Sequence, residues 1–180
     1  KKTLGYDKSI MELVAIIPAR AGSERLPGKN TLVLNGKPLL AWTIEAAINS
    51  GCFKQIFLTS DDVYALNIGK SYDNISIVKR PKVLSTKMTS SDDVILHCLS
   101  FVSEADAIVL LQPTSPLRKP KHIREAIRTF EKTRKKYGID ALISVSDRVT
   151  PSNHKIFVNP NTGLICLKRD SRYCLQRYVN

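Results

Sequence analysis

The chain has 180 residues, 43% hydrophobic and 24% charged, with a formal net charge of +12. That length fits one domain with a sizeable core, and no apolar run approaches the roughly 20 residues of a membrane-spanning helix. The excess of cations suits an anionic partner, whether nucleic acid, a membrane surface or a polyanionic small molecule.

Residues 1–10 are polar and mixed in charge, without the apolar core of a secretory signal, and residues 1–11 read as an N-terminal extension. Residues 13–17, Leu-Val-Ala-Ile-Ile, are continuously apolar and stop at Pro18, which predicts a buried strand. Pro38 near a first turn, Leu40, Ile44, Ala47 and Ile48 on one face and Gly51 as the stop predict a helix over 38–50. Residues 55–59 form the next strand, and Ser60-Asp61-Asp62 offers caps for a helix over 62–71. A third, shorter strand covers 75–78. Ser90 with Asp93 three residues on makes a capping box, and Ile95, Cys98, Leu99 and Val102 follow at helical spacing. Residues 107–111 are a further apolar strand, followed by a helix over 120–136 and a strand over 141–145.

Apolar strands alternating with helices predict an α/β fold with a mostly parallel sheet covered on both faces. In the basic helix 120–136, Ile123, Ala126, Ile127 and Phe130 form one apolar stripe and leave the Lys and Arg residues to water. Those cations therefore read as a solvated face, and nucleic acid is not the expected partner. After Thr150 the rhythm changes, and Asn159-Pro-Asn-Thr-Gly163 predicts a hairpin turn. Cys52, Cys98, Cys166 and Cys174 form no CxxC pair and no zinc spacing, so reduced thiols of a cytosolic protein are expected. His97, His122 and His154 show no partner in the sequence and read as structural or solvated.

Ligands of open α/β sheets gather outside the carboxyl ends of the strands, which directs attention to loops 18–30, 59–62 and 112–118. The first reads Pro18-Ala-Arg-Ala-Gly-Ser-Glu-Arg-Leu-Pro-Gly-Lys-Asn30. It is not a Walker A loop, because five residues separate Gly22 from Gly28 and Asn30 follows Lys29. Its small residues, Gly22 and Ser23 among them, let the backbone approach a ligand, and Arg20, Arg25 and Lys29 can neutralise phosphate oxygens. At roughly 1.5–3 kcal/mol per charge-assisted bond, several together could hold a triphosphate. Composition alone fits a solvated surface loop equally well. In Gln112-Pro-Thr-Ser-Pro-Leu-Arg118 the prolines fix the backbone, so Gln112 and Thr114 could face a base edge; taken alone, the loop is better read as a plain turn into the helix at Pro120.

Taken together, these segments resemble the acylneuraminate cytidylyltransferase family, the CMP-sialic-acid synthetases and their relatives acting on other nonulosonic acids. The resemblance rests on Ile16-Ile-Pro-Ala-Arg-Ala-Gly-Ser23, Leu26-Pro-Gly-Lys-Asn30, Gly36-Lys-Pro-Leu39, Ala41-Trp-Thr-Ile-Glu-Ala-Ala47, Thr59-Ser-Asp-Asp62, Arg80-Pro81 and Leu110-Leu-Gln-Pro-Thr-Ser-Pro-Leu-Arg118. They fall in family order over roughly residues 12–146, and the Gln-Pro-Thr-Ser-Pro-Leu-Arg run is the most diagnostic. The resemblance implies a Rossmann-like nucleotidyltransferase domain over 12–180, with a protruding dimerisation-type β element from about 150. It implies transfer of the cytidylyl group of CTP to a small acidic sugar of sialic, legionaminic or pseudaminic type, with Mg²⁺, in a cytoplasmic homodimer (nuclear in an animal source).

By the same resemblance, Arg20 and Lys29 would contact the triphosphate, and Ala19, Asn30, Arg80 and Ser91 would line the cytidine site. Gln112, Thr114 and Pro116 would sit where nucleotide and sugar meet. Two departures stand out. Sialic-acid synthetases commonly have Lys where this chain has Glu24, which is expected to point away from the phosphates while Arg25 supplies charge. Residues 177–180 resemble the approach to a segment after which the family places its metal-binding aspartates, so no Mg²⁺ ligand is identifiable and the fold is expected to be incomplete at this end. Two alternatives stay open: a CMP-Kdo synthetase or other sugar nucleotidyltransferase, against which Gln112 in place of an acidic residue speaks, and a non-catalytic nucleotide- or nucleic-acid-binding domain.

Overall fold

The computed structural model describes residues 11–24, 26–145, 156–158, 164–167 and 174–179, grouped into two compact units that meet in sequence between Pro120 and Lys121. That boundary falls well before the change of rhythm at Thr150.

The first unit is built on β1 (Leu13–Pro18), a strand whose first five residues are all buried. The chain then forms a small hairpin from β2 (Val33–Leu34) and β3 (Lys37–Pro38), and enters α1 (Leu39–Ser50). Asn35 (φ 48°) and Gly36 (φ 85°) both take left-handed conformations between the two short strands, the arrangement that suits Asn-Gly in a tight hairpin. Trp42 on α1 secures it by donating its indole N–H to Leu34 O at 3.0 Å, while Lys37 pairs with Glu45. Gly51 closes α1 at φ 66°.

Next come β4 (Gln55–Ser60), α2 (Val63–Lys70), β5 (Ser76–Lys79), α3 (Ser91–Leu99) and β6 (Ala107–Leu110). Asp62 caps α2 by accepting from the Tyr64 N–H at 2.9 Å. Ser90 and Asp93 form the predicted capping box on α3, with reciprocal bonds of 3.0 and 3.2 Å.

The four long strands make one parallel sheet in the order β5-β4-β1-β6. The chain moves outward from β1 through β4 to β5, then returns to the other side of β1 as β6. That reversal makes β1 and β6 a switch point, where the loops leaving the two strands diverge and open a crevice. Side-chain alternation assigns the two faces. Val14, Ile16, Phe57 and Val78 pack with Cys98 of α3, joined by Ile95 and Val102. Leu58 and Ile77, one residue out of phase, face the opposite way against Gly69 of α2, and α1 packs beside α2. Helices therefore cover both faces, as the apolar strands require.

The second unit contains α4 (Pro120–Tyr137), β7 (Ala141–Val145), β8 (Ile156–Val158), β9 (Leu164–Leu167) and β10 (Cys174–Val179). Its sheet runs β7-β10-β9-β8. The sequence predicts residues 141–145 as a further strand of the parallel sheet; they pair instead in parallel with β10 (Leu175 opposite Ala141), and β10 is antiparallel to β9. The predicted turn at 159–163 lies outside the described residues, but its flanks β8 and β9 pair antiparallel, as a hairpin demands.

Gly69 carries a testable consequence. A Cβ there would collide with Leu58 Cδ2 and Ile77 Cδ1. Gly69→Val is expected to destabilise the unit by about 1–3 kcal/mol, read as a lower urea midpoint; an unchanged midpoint would show that α2 does not press on the sheet as described.

Candidate functional site

Each loop singled out in the sequence leaves the carboxyl end of a parallel strand, and the backbone ties them to one another. Ala19, just past β1, donates its N–H to Thr59 O at 3.0 Å and accepts from the Ser60 hydroxyl, both near the end of β4. The Ala21 N–H donates to Asp61 Oδ1 at 3.0 Å. Arg80, one residue past β5, joins the same cluster through its N–H to Ser60 O at 2.8 Å, and the Leu111 N–H past β6 donates to Ile16 O at 2.9 Å.

The loop after β1 doubles back on itself. Gly28 adopts φ 63° and starts a single 3-10 turn over Lys29–Thr31, so the chain enters no long helix here. This is the geometric counterpart of the failed Walker A spacing. Asn30 is buried and donates from Nδ2 to Arg20 O at 3.1 Å, closing the loop across its width.

Together the loops enclose a cavity of about 280 Å³, at the small end of ligand sites. Of the sequence-predicted residues, Arg20, Ser23, Lys29, Asn30, Arg80, Ser91, Gln112 and Thr114 line it. Ala19, Gly22 and Pro116 do not. The Ala19 side chain is fully buried and both its backbone groups are engaged in the strand-end cluster, whereas Gly22 is exposed. Arg25 lies outside the described residues. The wall also includes Ser90, which the sequence marks only as a helix cap, and Lys87, which it does not single out.

Among the described residues the wall carries four cations (Arg20, Lys29, Arg80 and Lys87) and no carboxylate. Arg80 is the most constrained. It is 5% exposed and donates from Nη2 to Thr59 O at 2.8 Å and from Nε to Thr59 Oγ1 at 3.3 Å. Among the described residues it forms no ion pair. Burial pulls its pKa below the ordinary guanidinium value; Asp61 and Cys98 oppose that shift, and Arg20 adds to it. Burial also pushes the Cys98 thiol up, against the opposing pull of a Thr59 hydrogen bond and of Arg80, which leaves it a packing group rather than a nucleophile.

Glu24 is exposed and turns to Lys87, with Oε1 3.6 Å from Nζ. Arg118 also gains a role that its sequence position did not announce. It donates from Nη2 to Gln112 O at 3.2 Å, tying the ends of its loop together, while its Nη1 is buried and has no partner among the described residues. His97 lies edge-on to Phe101 at 5.5 Å. Among the described residues no three Asp, Glu, His or Cys side chains cluster to hold a metal. No helix among the described residues is long and apolar enough to cross a membrane.

A family model described as cytidylyltransferase matches residues 14–173. The chain is 42% identical over 141 residues to an N-acylneuraminate cytidylyltransferase of Escherichia coli O18:K1:H7, covering 78% of this chain and 33% of that protein. It is 39% identical over 140 residues to a CMP-N,N'-diacetyllegionaminic acid synthase of Legionella pneumophila, covering 76% of this chain and 58% of the relative. The chain thus spans about a third to three-fifths of the length of these relatives. Among solved structures, a CMP:2-keto-3-deoxy-manno-octonic acid synthetase complexed with CTP superposes with a TM-score of 0.68 at 22% identity, covering 86% of this chain and 62% of that one. At that identity the likeness speaks for the fold.

The buried Arg80 charge gives a direct check on whether the site is built for a ligand or for stability. Two hydrogen bonds and the field of Asp61 offset only part of the cost of burying this charge, and exchanging buried ionic groups for apolar side chains is often neutral or stabilising. Arg80→Met is therefore expected to leave the thermal midpoint unchanged or raised, while a loss of more than about 3 kcal/mol would make Arg80 a structural strut.

Proposed function

The chain belongs to the cytidylyltransferase family, and from that membership we propose that this protein transfers the cytidylyl group of CTP to a nonulosonic acid sugar. The acceptors in view are of sialic, legionaminic or pseudaminic type, and the products are the CMP-sugar and pyrophosphate. The observation that supports this most is the cavity itself: four cations, no carboxylate, at the carboxyl ends of a parallel sheet. That wall suits a polyanion of nucleotide size and asks for no protein nucleophile.

In this reading the anomeric hydroxyl of the sugar attacks the α-phosphorus of CTP, the bond to the β-phosphate oxygen breaks, and pyrophosphate departs with its charge. Such a transfer depends on positioning and on electrostatic stabilisation. Arg20 and Lys29, from the loop after β1, hold the triphosphate and stabilise the leaving pyrophosphate. Asn30, Arg80 and Ser91 line the cytidine end, and Ala19 shapes it through its backbone. Gln112 and Thr114 face the junction of nucleotide and sugar, with Pro116 fixing their loop. Mg²⁺ belongs to the same reading as the triphosphate's counter-ion, but the described residues supply no ligand set for it, and no step is routed through it. A cytoplasmic homodimer is the corresponding assembly.

The reading is tested by pyrophosphate release from CTP with a panel of neuraminic, legionaminic, pseudaminic and Kdo acids. Release is expected with at least one of the first three, and Lys29→Ala is expected to lower kcat by roughly 10²–10³. Release with Kdo alone would move the protein to the neighbouring specificity. No release with any acid, together with oligonucleotide binding that falls steeply with salt, would favour a nucleic-acid-binding domain.

A further inference from the structure

Glu24 is a carboxylate in a loop otherwise rich in phosphate-seeking cations, and Lys87 is a cation on a segment between β5 and α3 that nothing in the sequence marked out. The structure joins them: Lys87 Nζ lies 3.6 Å from Glu24 Oε1. Glu24 follows the cavity-lining Ser23, and Lys87 lines the cavity between Thr86 and Thr89, so the pair links the two loops that border it. Both side chains are largely exposed, 73% for Glu24 and 67% for Lys87. An ion pair of that exposure is screened by water and holds its partners weakly. Lys87 is thus restrained near the cavity without being committed to Glu24. Arg20 and Lys29 form no ion pair among the described residues, which leaves Lys87 as the cavity-lining cation whose charge is answered before a ligand arrives.

Resting on the reading that this cavity takes CTP, we propose that Lys87 is a further phosphate-binding residue, held at the edge of the cavity by Glu24 until a triphosphate displaces the carboxylate. The exchange follows from charge and donor count. A triphosphate carries several negative charges and many acceptor oxygens, and an ammonium has three donors; a single exposed carboxylate is the weaker competitor. Glu24 also becomes intelligible. Its charge is turned onto Lys87 rather than onto the phosphates, and it acts on the nucleotide through the lysine. A monophosphate, with fewer charges, displaces it poorly, so the pair favours CTP over CMP.

Calorimetric titration of the whole chain with CTP and with CMP at low salt, for the wild type, Glu24→Gln, Lys87→Ala and the double variant, tests this. Both side chains are exposed, so all four proteins should melt alike. Lys87→Ala is expected to weaken CTP about tenfold, and Glu24→Gln to tighten it about threefold by freeing the lysine. The double variant should bind as Lys87→Ala does, and CMP affinity should stay within about twofold throughout. Unchanged CTP affinity in Lys87→Ala, or weaker CTP binding in Glu24→Gln, overturns the exchange while leaving the CTP site standing. A wild type that binds neither nucleotide overturns the CTP reading and this proposal with it.

Discussion

A guanidinium removed from water, in contact with no carboxylate among the described residues and offset only by the field of Asp61, is the constraint on which the first unit turns. Arg80 keeps its place by donating to the carbonyl and hydroxyl of Thr59, and Thr59 O also accepts from Ala19. One peptide at the end of β4 thereby fixes both the residue after β5 and the start of the loop after β1. Its two hydrogen bonds to neutral acceptors and the field of Asp61 offset only part of the cost of burying that charge. A cavity whose wall adds Arg20, Lys29 and Lys87 to this charge is poised for an anion that supplies what the protein leaves out.

Topology makes this grouping available. Because β1 and β6 lie at the reversal of strand order, loops 18–30 and 111–118 leave adjacent strands and diverge, and the crevice between them needs no special carving. The rigidity of its walls comes from local devices: Pro113 and Pro116 in one loop with Arg118 tying its ends, the Asn30 bond across the other, and the capping box that starts α3 beside Ser91. Catalysis by positioning depends on such pre-set geometry more than on any single reactive group.

Much of this was legible in the sequence, because the signals are local. The continuous apolar run at residues 13–17, the Ser90–Asp93 spacing and Gly51 each report a backbone preference that the surrounding fold does not overrule. The Asn35-Gly36 dipeptide of the hairpin is an equally local signal. Residues 141–145 went to the wrong sheet for a different reason: an apolar strand declares that it will be buried, not which partner will bury it, and β10 is distant in sequence. The Glu24–Lys87 pair and the tie from Arg118 to Gln112 O were likewise hidden, the first because it joins loops from separate strands, the second because an arginine at a loop's end looks the same whether it faces water or folds back. The site residues themselves became specific only when the loops were taken together, and three of them, Ala19, Gly22 and Pro116, stand off the cavity wall.

The most direct test of the central claim, that the strand-end cavity is a cytidine triphosphate site rather than a generic anion trap, is a competition measurement of CTP, UTP and inorganic triphosphate on the same chain. The cytidine contacts proposed for Asn30, Arg80 and Ser91 predict that CTP binds most tightly, with UTP weaker and inorganic triphosphate weakest. Equal affinity for all three would contradict the account, leaving a patch of positive charge with no nucleoside recognition.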